Sequence, residues 1–218
     1  MATNMQMAEL DFVDDQFEGS QMVAILDKPY SLRVGYAKIP EPADNEIRVK
    51  VKWTGICGSD LEAYRGTRAP EFIGFPARLG HEVGGVIDKV GAAVQGLHVG
   101  AHVSCRYIWG AYAQYIVCKP FNVKVLPNTF PLDEISPVEV LPGILHAAEL
   151  AKIDASKSVL IMGQGVSGLI MTQVIAQFSP KELVVTDLYD RNLELAKKYG
   201  ATKTYKIDPN TDWVRMLK

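Results

Sequence analysis

The chain has 218 residues, of which 48% are hydrophobic and 22% are charged, and its formal net charge is −2. These values fit a globular protein of one or two domains and leave no basic surface of the kind that binds nucleic acid. With three cysteines, no apolar run of membrane-spanning length and Lys28 as its first basic residue, the sequence predicts a cytoplasmic protein without disulfide framework, membrane span or signal peptide.

The first part of the chain has the pattern of a β domain. Residues 1–20 carry five acidic and no basic side chains and are expected to be a disordered tail. Apolar residues then alternate with basic ones from Ile47 to Trp53, which predicts a strand with one buried and one exposed face. Further strands are predicted at 22–26, 83–90, 98–105 and 111–118. Many short strands separated by glycine and proline indicate a barrel or a sandwich.

Near residue 131 the pattern changes to helices that alternate with strands. A helical stretch over 138–152 contains Pro142, so two helical pieces or a kink are expected there. Strands are then predicted at 158–162, 183–187 and 203–207, with helices at 166–178 and 191–200 between them. This alternation indicates a parallel sheet, so the whole chain combines a mostly β part with an α/β part.

The turn between the strand at 158–162 and the following helix reads Gly163-x-Gly165-x-x-Gly168, with Val166 opening the helix. Glycines at this spacing let the backbone approach a dinucleotide pyrophosphate at a helix N-terminus. Asp187 ends the next strand, 19 positions after Gly168, where an acid would bind the ribose 2′-hydroxyl of NAD and repel the 2′-phosphate of NADP.

Two qualifications apply to this turn. Arg191, four positions after Asp187, could weaken the preference for NAD over NADP. The alternative interpretation is a turn shaped only by packing, with Asp187 as a helix cap.

A second group of residues has the chemistry of a metal site. Cys57 follows one predicted strand, and His81 and Glu82 begin another. A thiolate, an imidazole and a carboxylate suit tetrahedral zinc with an open position. The 24 positions between Cys57 and His81 do not establish the site, because a single cysteine or histidine can equally be a packed core residue.

Four motifs in sequence order resemble the zinc-dependent medium-chain alcohol dehydrogenases, nearest to the polyol (sorbitol-like) and threonine dehydrogenase branches. They are GICGSD, GHEVGGVIDKVG, GAYAQYIVCKPFNVKVLPN and GQGVSG, and the likeness runs from about residue 22 to the last residue. The resemblance implies a GroES-like β-barrel catalytic domain over 21–150. It also implies the N-terminal half of a Rossmann NAD-binding domain, a doubly wound parallel sheet, over 151–218.

The same resemblance implies roles for individual residues. Cys57, His81 and Glu82 match the zinc site, and Glu139 matches the position of a further ligand or a water-linked carboxylate. Ser59 matches the hydroxyl that takes the proton of the substrate alcohol. Asp60 matches the acid that orients the histidine ligand. Without the resemblance, Ser59 and Asp60 could simply cap the helix predicted from SDLEAY.

Two features depart from the family pattern. Glu62 stands where many relatives carry a histidine that passes the proton to solvent, so a glutamate would take part in the relay here. Many relatives also have four closely spaced cysteines that bind a structural zinc, whereas this segment carries only Cys105. One catalytic zinc and no structural zinc are therefore expected.

The resemblance implies an NAD-linked enzyme that interconverts a secondary alcohol or polyol and its ketone. Only three of the six strands of a complete dinucleotide-binding sheet can be counted, so we expect a fragment or a chain of low stability. A full-length form is expected to be a homo-oligomer. Two alternatives are a catalytically incompetent nucleotide-binding fragment and a zinc-independent reductase of the same superfamily.

Overall fold

The computed structural model describes residues 12–69, 72–208 and 210. The chain divides into two compact units, residues 1–139 and 140–218. The sequence pattern predicts the boundary near residue 150, but the helix Leu141–Ala151 belongs to the second unit. The physical reason is that Ala148 of this helix is buried in one cluster with Ile161 and Leu183.

The first unit contains eight described strands and one α-helix. The strands are β1 (Phe12–Val13), β2 (Ser20–Lys28), β3 (Ser31–Lys38), β4 (Ile47–Gly55), β5 (Glu82–Val90), β6 (His102–Cys105), β7 (Tyr115–Cys118) and β8 (Val123–Leu126). The helix α1 spans Gly58–Arg65, and 3₁₀ turns span Pro120–Asn122, Leu132–Glu134 and Ser136–Val140. The β-rich character predicted for this region is confirmed.

Five of these strands form one antiparallel sheet in the order β7-β4-β5-β6-β8. Its buried face carries Ile47, Val49, Val83, Ile87 and Val103, all essentially inaccessible to solvent. The strands β1, β3 and β2 form a separate antiparallel sheet. Among the described strands no ladder joins β7 to β8, so the sheet is open rather than a closed barrel.

The alternation predicted along β4 holds for Ile47 and Val49 but is wrong for Trp53, which is 55% exposed. The register of β4 against β5 shifts between Arg48 and Val49 and again between Val51 and Trp53. At the second shift the ladder passes over Lys52, and an extra residue in one strand turns the residues that follow toward the other face.

The predicted disordered tail is wrong for the part that the structure describes. Phe12 and Val13 pair with Ala37 and Tyr36 of β3, and β2 begins at Ser20. Phe12 packs against a cluster that contains Val23 and Ile25, so burial of apolar side chains orders this segment despite its acidic neighbours. The rest of the predicted tail, residues 1–11, lies outside the described residues.

The second unit has the βαβ pattern that the sequence predicts. Its elements are α2 (Leu141–Ala151), β9 (Ser158–Met162), α3 (Val166–Gln177), β10 (Glu182–Asp187), α4 (Asp190–Lys198) and β11 (Lys203–Lys206). The strands are parallel in the order β11-β10-β9. As expected, the helical stretch is interrupted near Pro142, which lies in the first turn of α2 after a 3₁₀ turn.

Candidate functional site

Three potential metal ligands meet at the ends of two paired strands. Cys57 lies two residues beyond β4, His81 directly precedes β5, and Glu82 is its first residue. The ladder places Gly55 opposite Glu82, which brings these chain segments together. One ligand atom each from Cys57, His81 and Glu82 lies within 4.8 Å of the other two, and all three residues are partly buried. A sulfur, a nitrogen and an oxygen donor at this spacing fit the ligand set of a zinc ion.

Asp60 lies behind this donor group, in the first turn of α1. Its side chain is almost fully buried and accepts backbone N–H groups from Cys57 at 3.0 Å and from Gly80 at 2.9 Å. Burial opposes ionisation of the carboxyl, but these hydrogen bonds and His81 outweigh it and lower the pKa of Asp60. Asp60 thus caps α1, which is the alternative role that the sequence left open for it. It also fixes the segments of Cys57 and Gly80, which carry potential metal ligands.

His81 has two distinct ring nitrogens in this arrangement. Its Nδ1 is buried, lies 3.6 Å from Oδ1 of Asp60 and has no hydrogen-bond partner among the described residues. Burial lowers the pKa of His81, whereas Asp60 and Cys57 raise it, to about 9 in the metal-free chain. The imidazole also stacks on Trp109, with ring centroids 4.8 Å apart and planes inclined by 13°.

Ser59 and Glu139 line a pocket beside the imidazole. Oγ of Ser59 lies 3.4 Å from Nε2 of His81. Burial raises the pKa of Glu139, Glu82 adds to the rise, and His81 opposes it. The pocket is lined by Ser59, Arg68, His81, Tyr107, Ile108, Trp109 and Glu139. The structure therefore brings four residues of the predicted metal and catalytic set, together with Asp60, close to His81.

Glu62 does not line this pocket. It is exposed on α1, and its carboxylate lies 3.5 Å from a guanidinium nitrogen of Arg68. The geometry therefore gives Glu62 a cationic neighbour and access to solvent, but no hydrogen bond to Ser59 among the described residues.

The sequence pattern did not predict three residues of this site. Tyr112 donates its hydroxyl to Oδ2 of Asp60 at 3.1 Å, and burial together with the charge of Asp60 raises the pKa of this phenol. Trp109 supplies the ring on which His81 stacks, and Arg68 contributes a cation to the pocket. An available signal was the run of aromatic residues from Tyr107 to Tyr112, which continues into one of the quoted motifs.

The glycine turn in the second unit has the predicted local form. Gly163 has a φ of +86°, a conformation that favours glycine, and Gly165 is the N-cap of α3 with open space at the position of a Cβ. A Cβ at Gly168 would lie 2.0 Å from the carbonyl oxygen of Gly163. Gly168 is therefore required because α3 closely approaches the turn that precedes it. Val166, the first residue of α3, is exposed.

Asp187 connects the end of β10 to this turn. Its Oδ2 accepts the backbone N–H of Gln164 at 2.6 Å, and its Oδ1 accepts the N–H of Tyr189 at 2.8 Å and the amide of Asn192 at 3.1 Å. These hydrogen bonds outweigh burial and lower the pKa of Asp187. Arg191 is exposed in the first turn of α4. Asp187 therefore joins the glycine turn to the segment before α4, but α4 has Tyr189 as its N-cap and no side-chain cap, so the helix-cap role that the sequence left as an alternative is not seen.

The strand pattern of the first unit, its donor group and the glycine turn are typical of one class of protein. Residues 43–128 match the Alcohol dehydrogenase GroES-like domain. This match and the relatives below support the resemblance to the zinc-dependent medium-chain alcohol dehydrogenase family that the four motifs predict.

Individual relatives agree with this resemblance. Galactitol 1-phosphate 5-dehydrogenase of Escherichia coli K12 is 33% identical in an alignment of 202 positions that covers 80% of this chain and 58% of that protein. The probable D-xylulose reductase A of Aspergillus fumigatus is 32% identical, over 87% of this chain and 59% of that protein. The chain thus spans less than two thirds of the length of these relatives.

A solved structure gives the same fold. A protein of Escherichia coli CFT073 described as short chain alcohol dehydrogenase (rspB), crystallised in complex with NADH, is 26% identical and superposes with a TM-score of 0.81. The match covers 91% of this chain and 66% of that one.

Among the described residues of our chain, no helix has the length and apolar character needed to cross a membrane.

Proposed function

We propose that the chain forms part of a zinc-dependent, NAD-linked dehydrogenase that interconverts a secondary alcohol or polyol and its ketone. The observation that carries this proposal is the convergence of donor atoms from Cys57, His81 and Glu82 within 4.8 Å. The names of the two curated relatives support the polyol class. A zinc-independent reductase would have no use for this donor group, so the zinc enzyme is favoured.

Each proposed ligand offers one atom or group to the metal. Nδ1 of His81 faces Asp60, which leaves Nε2 as the nitrogen that binds the metal. Cys57 supplies a thiolate and Glu82 a carboxylate. Glu139 reaches the same pocket and would act as a further ligand or through a water molecule. Zinc bound here would lower the pKa of a bound alcohol and polarise a bound carbonyl.

The surrounding residues would then handle the proton and hold the ligand imidazole. Ser59 is the candidate acceptor of the alcohol proton, because its hydroxyl lies beside Nε2 of His81. Glu62 is the candidate for passing that proton to water, since it lies on the same helix and is exposed. Asp60 positions His81 and stabilises its orientation.

The glycine turn is the proposed pyrophosphate site for the cofactor. Open space at Gly165 and the N-terminus of α3 would receive the phosphates, with Val166 beside them. Asp187 would accept the ribose hydroxyl and disfavour NADP, even though turn hydrogen bonds already occupy its carboxylate. Arg191 is the nearby cation that would moderate this preference. The three free cysteines, Cys57, Cys105 and Cys118, support a reducing, cytoplasmic setting.

Metal binding by the 218-residue chain tests this proposal. We expect one zinc per chain by elemental analysis after dialysis. Cobalt substitution should give a thiolate charge-transfer band that is lost in Cys57→Ala and His81→Ala. The matched control is His98→Ala, because His98 is an exposed histidine of the same unit. A folded chain that holds no zinc, or a cobalt band unchanged in Cys57→Ala, would defeat the proposal.

A further inference from the structure

Arg68 places a cation in the pocket that contains the proposed substrate site. Its guanidinium carbon lies 5.5 Å from the ring centroid of Trp109 and 5.5 Å from that of Phe72. Trp109 also stacks on His81, so Arg68 and a proposed zinc ligand contact the same indole ring. Neither the metal centre nor the nucleotide turn requires a positive charge at this position.

Among the described residues, few partners use the hydrogen-bonding capacity of Arg68. Its Nε is buried and has no hydrogen-bond partner among the described residues. Its one described ion pair, with Glu62, is 3.5 Å long and involves a carboxylate side chain that is 59% exposed. An exposed pair of this length contributes little, whereas a buried donor without an acceptor carries a desolvation cost. Arg68 therefore lines the pocket with a buried donor that has no acceptor among the described residues.

The aromatic contacts alone do not account for an arginine here. The guanidinium carbon lies over both rings, and a cation–π contact of this kind does not consume the N–H groups at the edge of the guanidinium plane. That planar edge matches the paired oxygens of a carboxylate or a phosphate. The aromatic rings would hold the guanidinium group of Arg68 in a fixed orientation, which reduces the entropy lost on binding an anion.

We infer that Arg68 is a specificity-determining residue that binds an anionic group on the substrate, so that the enzyme acts on a polyol derivative carrying a phosphate or carboxylate. This inference rests on the proposed function for the reaction, and it names the substrate class. The oxyanion sits against Arg68 while the reacting hydroxyl lies beside Ser59, which lines the same pocket. Glu62 competes for the guanidinium and is displaced when the anion binds.

Calorimetric titration of the zinc-loaded chain tests the inference with three probes that share a six-carbon chain: galactitol, galactitol 1-phosphate and galactonate. We expect at least one anionic probe to bind about tenfold more tightly than galactitol, equivalent to about 1.4 kcal/mol. The difference should shrink at high salt. Comparison of the two anionic probes distinguishes a phosphate site from a carboxylate site.

Variants assign the preference to one side chain. Arg68→Gln should abolish it, and Arg68→Lys should restore part of it because charge returns without the planar fork. The matched control is Arg65→Gln, which removes the same charge from an exposed position three residues away and should bind like the unaltered chain. Melting temperatures of all variants check that the fold is retained.

Three results would overturn the inference. They are equal affinity for all three probes, a preference that survives Arg68→Gln, and no detectable binding of either anionic probe. Zinc content is measured on the same samples. Full zinc occupancy without an anion preference removes this inference and leaves the proposed function standing, whereas an anion preference without zinc removes the proposed chemistry and leaves the anion site.

Discussion

Oδ1 of Asp60 lies 3.6 Å from Nδ1 of His81, and this pair connects the helix cap of α1 to the proposed metal centre. The same carboxylate accepts N–H groups from Cys57 and Gly80, on the two segments that carry ligands. The N···O separation is longer than a hydrogen bond, so the attraction in the metal-free chain is mainly electrostatic. Asp60 therefore influences both the position and the charge of His81.

The first prediction concerns Asp60→Asn. The amide keeps the shape of the side chain but removes the negative charge and one acceptor oxygen. We expect zinc affinity to fall about 10- to 100-fold, as is usual when the partner of a ligand histidine is changed. Competition with a metal-sensitive dye measures the affinity. Asp133→Asn, at an exposed site of the same unit, should leave it unchanged. Equal affinity in the two variants would show that Asp60 serves only as a helix cap.

The second prediction concerns the pH dependence of stability without metal. His81 has a folded-state pKa of about 9 against an unfolded value near 6.5. Its protonated form therefore stabilises the folded chain fully below about pH 6.5, and this contribution is lost as pH rises through about 9. Denaturant titrations in chelator, followed by tryptophan fluorescence, should give a falling midpoint over this range. In Asp60→Asn the fall should be smaller, and an identical fall in both proteins would contradict the prediction.

The sequence predicted the elements of the second unit well because its periodic signals are local. Each strand from β9 to β11 is a short run that ends at a turn, and Gly200 follows α4 with a φ of +107°. The motifs also contain the proposed metal ligands Cys57 and His81, which lie next to the ends of β4 and β5, and the pairing of these strands brings them together.

Other features depended on interactions that have no local pattern. The exposure of Trp53 results from a bulge defined by pairing with β5. The cation–π contact of Arg68 is with Trp109, 41 positions later in the chain. The pairing of Phe12 with β3 orders a segment whose acidic composition indicates disorder. In each case the deciding contact is tertiary, so composition and periodicity could not reveal it.

The third prediction concerns Gly168→Ala in the nucleotide turn. The new Cβ would lie 2.0 Å from the carbonyl oxygen of Gly163, so the turn or the start of α3 must shift. We expect a loss of stability of about 1–3 kcal/mol in the second unit and a clear loss of NADH affinity. Gly143→Ala is the control, because a Cβ there meets nothing within 4 Å. This helical site should be neutral or gain about 0.5–1 kcal/mol. Similar melting temperatures for both variants would show that the turn tolerates the methyl group.

The fourth prediction concerns Asp187→Asn and cofactor choice. The carboxylate already binds the N–H of Gln164 and the N–H of Tyr189, so its orientation is fixed before any nucleotide arrives. Removing its charge removes the repulsion of a 2′-phosphate and weakens the bond to a ribose hydroxyl. We expect the ratio of NADPH to NADH affinity to rise about tenfold or more, measured by fluorescence titration of the two reduced cofactors.

Asp190→Asn separates this local effect from a general change in charge. Asp190 lies three residues further along the chain, is exposed and pairs with Lys206, so its substitution removes the same charge outside the turn. That variant should keep the original ratio of affinities. If both variants change the ratio equally, the discrimination is a long-range field effect. If neither does, Asp187 serves the turn alone and the preference for NAD has another source.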